Sequence, residues 1–330
     1  MKKVFALLLC LLMIVSLAAC TKQEAAKPAA EEKKVEYPTK AITVIVPYQA
    51  GSQMDLVTRK FITGMEAVLG QPMAVENVVG ADGATGHIQL AQAKADGYTI
   101  GCASASPLCV SPWMQDLPYT YESFEYIGLY QPYMHGVAAN KDTGVTDLKG
   151  MVDWINSHDN TNIGYAGTVN LCNIHKIIKM SGVDANKVTI VPYNSNDVIP
   201  ALAGGFLDFA VHSNSTIGPM HQSGEVVLIA PLGSRWEAAP DVPSSIEQGF
   251  EMYSFGGLSL ATPKGVDPQI LQILRDAFAK ATENQEYSDM LISQGYTPLF
   301  LIGDECAERI KSDSESAKQT LTELGMAKQG

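Results

Sequence analysis

The stretch Val44-Ile45-Val46-Pro47-Tyr48-Gln49-Ala50-Gly51-Ser52-Gln53-Met54-Asp55 marks a change of periodicity. A run rich in β-branched residues, Ala41 to Val46, stops at Pro47, as a buried parallel strand does. A turn containing Gly51 follows, and Ser52 with Asp55 matches the S-x-x-D capping box that opens a helix. Behind that cap Val57, Phe61, Met65 and Val68 recur at helical spacing, and the stripe ends at Gly70-Gln71-Pro72. A helix start of this kind offers unpaired backbone N–H groups and the positive end of the peptide dipoles, which suits a carboxylate or phosphate. Asp55, at the third helical position, is expected to bond the Ser52 backbone N–H and not a ligand.

The same strand–loop–helix rhythm continues outward from this unit. Met73 to Glu76 reads as a second strand, followed by Gly80-Ala81-Asp82-Gly83-Ala84-Thr85-Gly86 leading into a helix. Its G-x-x-G-x-x-G spacing departs from the dinucleotide fingerprint, so no nucleotide cofactor is expected. Tyr98 to Ala103 is a third strand, ending in Ser104-Ala105-Ser106. Ser111 to Tyr133 is rich in aromatic residues and proline, and reads either as the wall of a cleft or as a packed irregular connection. After a crossing strand at Val137 to Asn140 the rhythm restarts, with loops at Ala166–Asn170, Pro192–Asp197 and His212–Thr216. A second crossing is expected over Asp241–Gly249 and Gly256–Pro263, and three amphipathic helices close the chain. Alternating strands and helices imply parallel-rich sheets covered on both faces, whose ligands sit beyond the carboxyl ends of the strands. Those ends carry Ser, Thr, Asn and Gly, which donate hydrogen bonds and offer no nucleophile–base pair.

Composition narrows the class. The chain has 330 residues, 46% hydrophobic and 18% charged, with a formal net charge of −12 that argues against nucleic acid as a partner. Lys2-Lys3 precedes an apolar run from Val4 to Leu17, shorter than the roughly 20 residues of a spanning helix, so residues 1–19 read as a cleaved signal. Leu17-Ala18-Ala19-Cys20 resembles the lipobox of bacterial lipoproteins, which makes Cys20 the expected lipidated residue and residues 20–36 a disordered tether. Two or more acyl chains would then hold the protein on a membrane surface. Of the other cysteines outside the signal, Cys102, Cys109, Cys172 and Cys306 read as buried thiols, with a Cys102–Cys109 disulfide as the alternative. No C-x-x-C, zinc spacing, G-x-S-x-G or H-E-x-x-H occurs, so neither metal nor cofactor nor catalytic residue is expected.

A series of blocks resembles the extracytoplasmic solute receptors of the tripartite tricarboxylate transporter family. They are Tyr37-Pro38-Thr39-Lys40-Ala41-Ile42, Val46-Pro47-Tyr48-Gln49-Ala50-Gly51 with Asp55 and Arg59, Gly70-Gln71-Pro72, and Val75-Glu76-Asn77 with Gly80, Gly83 and Gly86. Asp96-Gly97-Tyr98-Thr99, Val191-Pro192-Tyr193, Ala203-Gly204-Gly205 with Asp208, and Pro240-Asp241-Val242-Pro243 with Glu247 and Gly249 complete the series. The resemblance implies an α/β, two-domain, periplasmic-binding-protein-like clam-shell of type II, with parallel-rich sheets and a ligand cleft between domains. Its domains would be residues 37–138 plus 255–330, and 139–254. It implies a monomeric receptor that takes a small carboxylate and passes it to a permease of one large and one small membrane subunit. Carried over by position, the ligand-binding residues are Tyr48, Gln49, Ala50, Gly51, Ser52, Gln53, Ser104, Ser106, Gly167, Thr168, Val169, Asn170, Asn194, Asp197, His212, Ser213 and Asn214. The chain departs from the family at Ser52-Gln53, where glycines are usual, and at Asn194-Ser195, where lysine-glycine is frequent. The rival readings are a receptor for an ABC-type importer or sensor, and a lipid-anchored enzyme.

Overall fold

The computed structural model describes residues 35–328 of the 330, and Glu36–Gly330 forms one compact unit. The expected signal, Cys20 and nearly all of the tether lie outside the described residues. The first sheet begins with β1 (Ile42–Val46), α1 (Gln53–Leu69), β2 (Met73–Asn77), α2 (Ala84–Gln92) and β3 (Thr99–Ser104). A π-helical turn at Ser106–Val110 and a short α3 (Ser111–Met114) lead to β4 (Phe124–Pro132). The chain then enters a second sheet through β5 (His135–Asn140), α4 (Leu148–Ser157), β6 (Thr161–Tyr165) and α5 (Gly167–Ser181). This half continues as β7 (Val188–Pro192), α6 (Val198–Ala203), β8 (Phe209–Ser213), α7 (Asn214–Gln222) and β9 (Val226–Pro231). It returns through β10 (Gly257–Pro263), α8 (Pro268–Ala281), α9 (Gln285–Ser293), β11 (Leu301–Ile302) and α10 (Asp304–Glu323).

The six-stranded sheet has the order β11-β4-β10-β3-β1-β2 and the five-stranded sheet β7-β6-β8-β5-β9. In the first, β1 pairs in parallel with β2 and β3, while β10 runs antiparallel between β3 and β4. In the second, β6 pairs in parallel with β7 and β8, while β5 runs antiparallel between β8 and β9. The two sheets therefore repeat one plan, with β6, β7, β8, β5 and β9 standing where β1, β2, β3, β10 and β4 stand. All of β5 pairs within the second sheet, so the chain changes sheets at Tyr133–Met134, and a boundary at 138/139 falls inside a strand.

The aromatic stretch Ser111–Tyr133 is regular at its C-terminal end, where Phe124–Pro132 forms β4. Phe-Glu-Tyr-Ile-Gly-Leu-Tyr-Gln-Pro is buried almost throughout, so it lacks the alternation that marks a half-exposed strand. Tyr130 from this strand stacks on Phe61 of α1 at 5.0 Å between ring centres, and Phe61 meets Phe278 of α8 at 4.7 Å and Tyr287 of α9 at 5.0 Å. Gly128 makes room for this cluster, since a Cβ there would lie 2.5 Å from the Phe278 ring. The helical stripe read from the sequence buries Val57, Phe61 and Met65, whereas Val68 is half-exposed beside the Gly70 cap. Cys102, Cys109, Cys172 and Cys306 are buried free thiols, so the disulfide alternative is not formed.

α10 secures the returning crossover. Its Arg309 donates through Nη2 to the Ser254 carbonyl at 2.5 Å and through Nε to Asp313 Oδ2 at 3.1 Å, and Asp313 accepts the Gly256 N–H at 3.0 Å. The helix packs on β4 and α3 and also reaches α5 of the second half. Phe278→Ala is expected to lower the unfolding free energy by about 3–5 kcal/mol in a denaturant titration, because the site it vacates is walled by rings and a strand backbone. A loss under about 1 kcal/mol would mean that this cluster is not a rigid part of the core.

Candidate functional site

Ser52 is the N-cap of α1, its hydroxyl accepting the Asp55 N–H at 3.3 Å. The reciprocal bond differs from the capping box expected. Ser52 N–H donates to the Gln49 carbonyl at 3.1 Å, and Asp55 Oδ2 instead accepts the Gly51 N–H at 2.9 Å. Asp55 is a hub. Arg59 Nε donates to both of its oxygens at 3.0 and 2.9 Å, and Asn77 Nδ2, from the end of β2, donates to Oδ1 at 2.8 Å. Asn77 Nδ2 also donates to the Tyr48 carbonyl at 2.9 Å, and Arg59 Nη2 to Asn77 Oδ1 at 3.0 Å. The Asp55 side chain is 1% exposed. Burial alone would raise its carboxyl, but the bonds from Arg59, Asn77 and Gly51 outweigh it and hold the group below its ordinary value.

This network spends the Gly51 N–H internally and leaves Gln53 and Met54, the first two residues of α1, with backbone N–H groups that meet no acceptor among the described residues. A cavity of about 440 Å³ lies at the N-cap, lined by Pro47, Tyr48, Gln49, Ser52 and residues 79–83. Its far side is a left-handed turn, with Gly80 at φ 147°, Ala81 at 45°, Asp82 at 52° and Gly83 at 91°. Ala81 and Asp82 bear side chains in a region costing them about 1–3 kcal/mol each, a strain typical of ligand-facing segments. Asp82 Oδ2 accepts the Ser106 hydroxyl at 3.1 Å. Ser104 is fully buried and accepts the Tyr48 hydroxyl, so it orients Tyr48 and does not line the cavity. Gln53 Nε2 turns away from the cavity to Tyr296 Oη at 3.1 Å.

His87 ties the turn to β3. Its Nδ1 lies 2.8 Å from the Gly83 carbonyl and its Nε2 accepts the Ser104 N–H at 3.3 Å, which fixes the proton on Nδ1. Burial pushes its pKa down to about 4, so it is a neutral structural linker.

In the second half, Gly167 to Asn170 form the first turn of α5 and not a loop, because Gly167 enters the helix from φ 75°. α5 has no side-chain cap. Asn170 Nδ2 donates to the Ala166 carbonyl at 2.9 Å, while its Oδ1, buried, has no donor. Val169 packs against the core beside Cys172. Asn194 Nδ2 donates to Asp197 Oδ2 at 3.1 Å, and Ser195 Oγ lies 3.2 Å from His212 Nε2. Ser213 gathers His212 Nδ1 at 3.2 Å, Ser215 Oγ at 3.1 Å and Thr216 Oγ1 at 3.0 Å. His212 and Ser213 end β8, and Asn214 opens α7 with both side-chain polar atoms buried and unpartnered. His135 bonds Ser254 Oγ at 2.6 Å, and burial first, then His212, push its pKa down to about 3. Burial lowers His212 as well, so neither imidazole supplies a cation.

Tyr48, Gln49 and Ser52 line the cavity, and Thr168, Asn170, Ser213 and Asn214 sit at the corresponding strand ends of the second half. Sequence reasoning missed Asn77 as an organiser of the loop and Asp82 as a wall of the cavity. The non-glycine residue between Ala81 and Gly83 was the available signal for Asp82.

Asp55→Ala is expected to cost about 3 kcal/mol, more than the about 1 kcal/mol of a lost cap, because it strands the Gly51 and Asn77 donors. Because the folded-state pKa of Asp55 is depressed, its stabilisation is complete above the ordinary carboxyl value of 3.8 and disappears as pH falls below it. Denaturation of the wild type and Asp55→Asn at pH 7 and pH 3 checks this; an equal difference at both values would refute it.

A family profile described as the tripartite tricarboxylate transporter family receptor matches residues 57–326. A relative from Cupriavidus necator, the UPF0065 protein in the gbd 5′ region, is 25% identical over 308 residues, 92% of this chain and 93% of its own. Among solved structures, a TctC solute-binding protein from Polaromonas superposes with a TM-score of 0.79 at 22% identity, over 87% of this chain and all of that one. MatC of Rhodopseudomonas palustris with bound malate superposes with a TM-score of 0.61 at 23% identity, over 86% of this chain and 100% of its own. The structural likenesses agree with the paired sheets. The chain belongs to the tripartite tricarboxylate transporter family of receptors and has the two-sheet α/β fold of periplasmic solute-binding proteins.

Proposed function

We propose that the protein is an extracytoplasmic receptor that captures a small carboxylate between its two halves and delivers it to a permease with one large and one small membrane subunit. The observation that carries this reading is the start of α1, where the N-cap Ser52 lines a cavity and the next two backbone N–H groups, of Gln53 and Met54, have no acceptor among the described residues. α5 starts at the equivalent strand end of the second sheet, without a side-chain cap. A carboxylate bridging these starts would accept charge-assisted hydrogen bonds worth about 1.5–3 kcal/mol each. Three or four at the upper end of that range sum to roughly 9–12 kcal/mol, against about 8 kcal/mol for micromolar affinity.

The two halves, expected as residues 37–138 with 255–330 and residues 139–254 and parted in the sheets at Tyr133–Met134, would close over the ligand by bending at the two chain crossings. Among the described residues no helix is long and apolar enough to cross a membrane. Attachment through a lipid on Cys20 would keep the receptor beside its permease. The reading is of a binder and not an enzyme: the histidines at the site are neutral and bonded to serines, and none adjoins a carboxylate that would orient it as a base.

Calorimetric titration with mono-, di- and tricarboxylates is expected to give one-to-one binding and unchanged ligand. At 100 times its dissociation constant the ligand adds about 2.7 kcal/mol of stability. Turnover of any probe would refute the binder reading. Gly51→Val puts a β-branched residue at φ 78° and is expected to weaken binding at least about tenfold while costing about 1–2 kcal/mol of stability; undiminished affinity would place the anion elsewhere. Cys20→Ser is expected to move the protein from the membrane fraction to the soluble one, and unchanged partition would remove the anchor.

A further inference from the structure

Ten buried side-chain polar atoms have no partner among the described residues, and four of them belong to residues that line one cavity. They are Asn214 Nδ2 and Oδ1, Trp236 Nε1 and Gln294 Oε1. The cavity holds about 300 Å³, lies between α7 and the end of α9, and shares no lining residue with the one at the start of α1. It stands where the halves meet, with Asn214 and Trp236 from the second half and Gln294 and Gly295 from the first. At the crossing beside it, Asn214 N–H donates to the Met134 carbonyl at 2.9 Å and Thr297 N–H to Met134 Sδ at 2.8 Å. Thr297 Oγ1 donates to the Arg235 carbonyl at 2.9 Å.

The walls are held in place. Trp236 is 1% exposed, and its ring packs over Gly136 of β5, where a Cβ would lie 2.6 Å away. Asn214 is 4% exposed, and its Nδ2 lies 3.2 Å from where Gly295 would carry a Cβ. A buried polar atom left unpaired forfeits a hydrogen bond that water supplies to the unfolded chain. The Asn214 carboxamide lacks both kinds of partner, while Trp236 Nε1 only donates and Gln294 Oε1 only accepts. Two donors and two acceptors around one space suit a ligand whose groups do both, as a hydroxyl does. No acidic or basic side chain lines the cavity among the described residues, so an ion would enter it without a counter-charge. Pro219, Ile292 and the Trp236 ring supply apolar wall for C–H faces.

We infer that this cavity is a second ligand site, which takes an uncharged polyhydroxy compound of monosaccharide size. The compound touches both halves beside the Tyr133–Met134 crossing. The inference does not depend on the carboxylate reading.

The test is calorimetric titration of the purified protein with glucose, galactose and myo-inositol. Gluconate, glucosamine, galactonate and galactosamine serve as charged relatives, and acetamide as an amide probe. At least one uncharged polyol is expected to bind one-to-one, and the charged relatives at least about tenfold more weakly. Asn214→Leu and Gln294→Met replace the orphaned amides by apolar groups of similar size, and each is expected to weaken the polyol at least about tenfold. Without probe, both variants should melt at or above the wild-type temperature, because an unpaired polar group has been removed. If no polyol binds, or if a charged relative or acetamide binds as tightly, the ligand class is overturned. Binding undiminished in both variants overturns the placement, and Gln294→Met alone decides it should Asn214→Leu fail to fold. A lower melting temperature in both variants overturns the premise that the two amides lack partners within the protein.

Discussion

An ionised carboxylate can be buried only where donors surround it, and in this fold that requirement falls on Asp55. Its donors come from three places in the chain: Gly51 in the loop before α1, Arg59 one turn into the helix, and Asn77 at the end of β2. Meeting the requirement fixes the loop against both its own helix and the neighbouring strand. Because Asn77 also bonds the Tyr48 carbonyl, the same group sets the position of the aromatic side chain at the mouth of the cavity. The start of α1 is thereby held in one conformation by bonds within the protein.

The two sheets share one strand plan, and the plan explains where the site lies. In each, three parallel strands are followed by an antiparallel strand that belongs to a chain crossing. The loop after β1 and the turn after β6 are therefore equivalent, and each feeds a helix, α1 capped by the Ser52 hydroxyl and α5 without a side-chain cap. The halves differ in their auxiliary chemistry. The first brings a strained turn and a carboxylate, whereas the second brings amides, hydroxyls and two imidazoles kept neutral by burial.

The β1–α1 unit was legible because the periodicity changes abruptly at Pro47 and Gly51 and because Ser52 caps locally. The partner of Asp55 was not, since a capping box is a local pattern and Asn77 arrives through the sheet. β4 escaped notice for another reason: with both faces covered it shows no alternation, and its tyrosines and proline resemble those of an irregular segment. The helices beginning at Gly167 and Asn214 start earlier than their polar residues suggest, because a left-handed glycine and a serine at the cap position admit the chain directly into the first turn. Of the site, the residues that line the cavity near α1 were read from their motif. Asp82 was hidden among glycines that look like a simple turn.

The placement of β10 has a consequence for biogenesis. Every strand of the second sheet lies within the unbroken segment 135–231, whereas β3 and β4 are joined only by β10, at 257–263. A chain that emerges N-terminus first thus holds the apolar edges of β3 and β4 unpaired until more than a hundred further residues have followed. The half that appears second is the first able to assemble completely. The early half, which carries the Asp55 network, is exposed to chaperones and to edge-to-edge association during the interval.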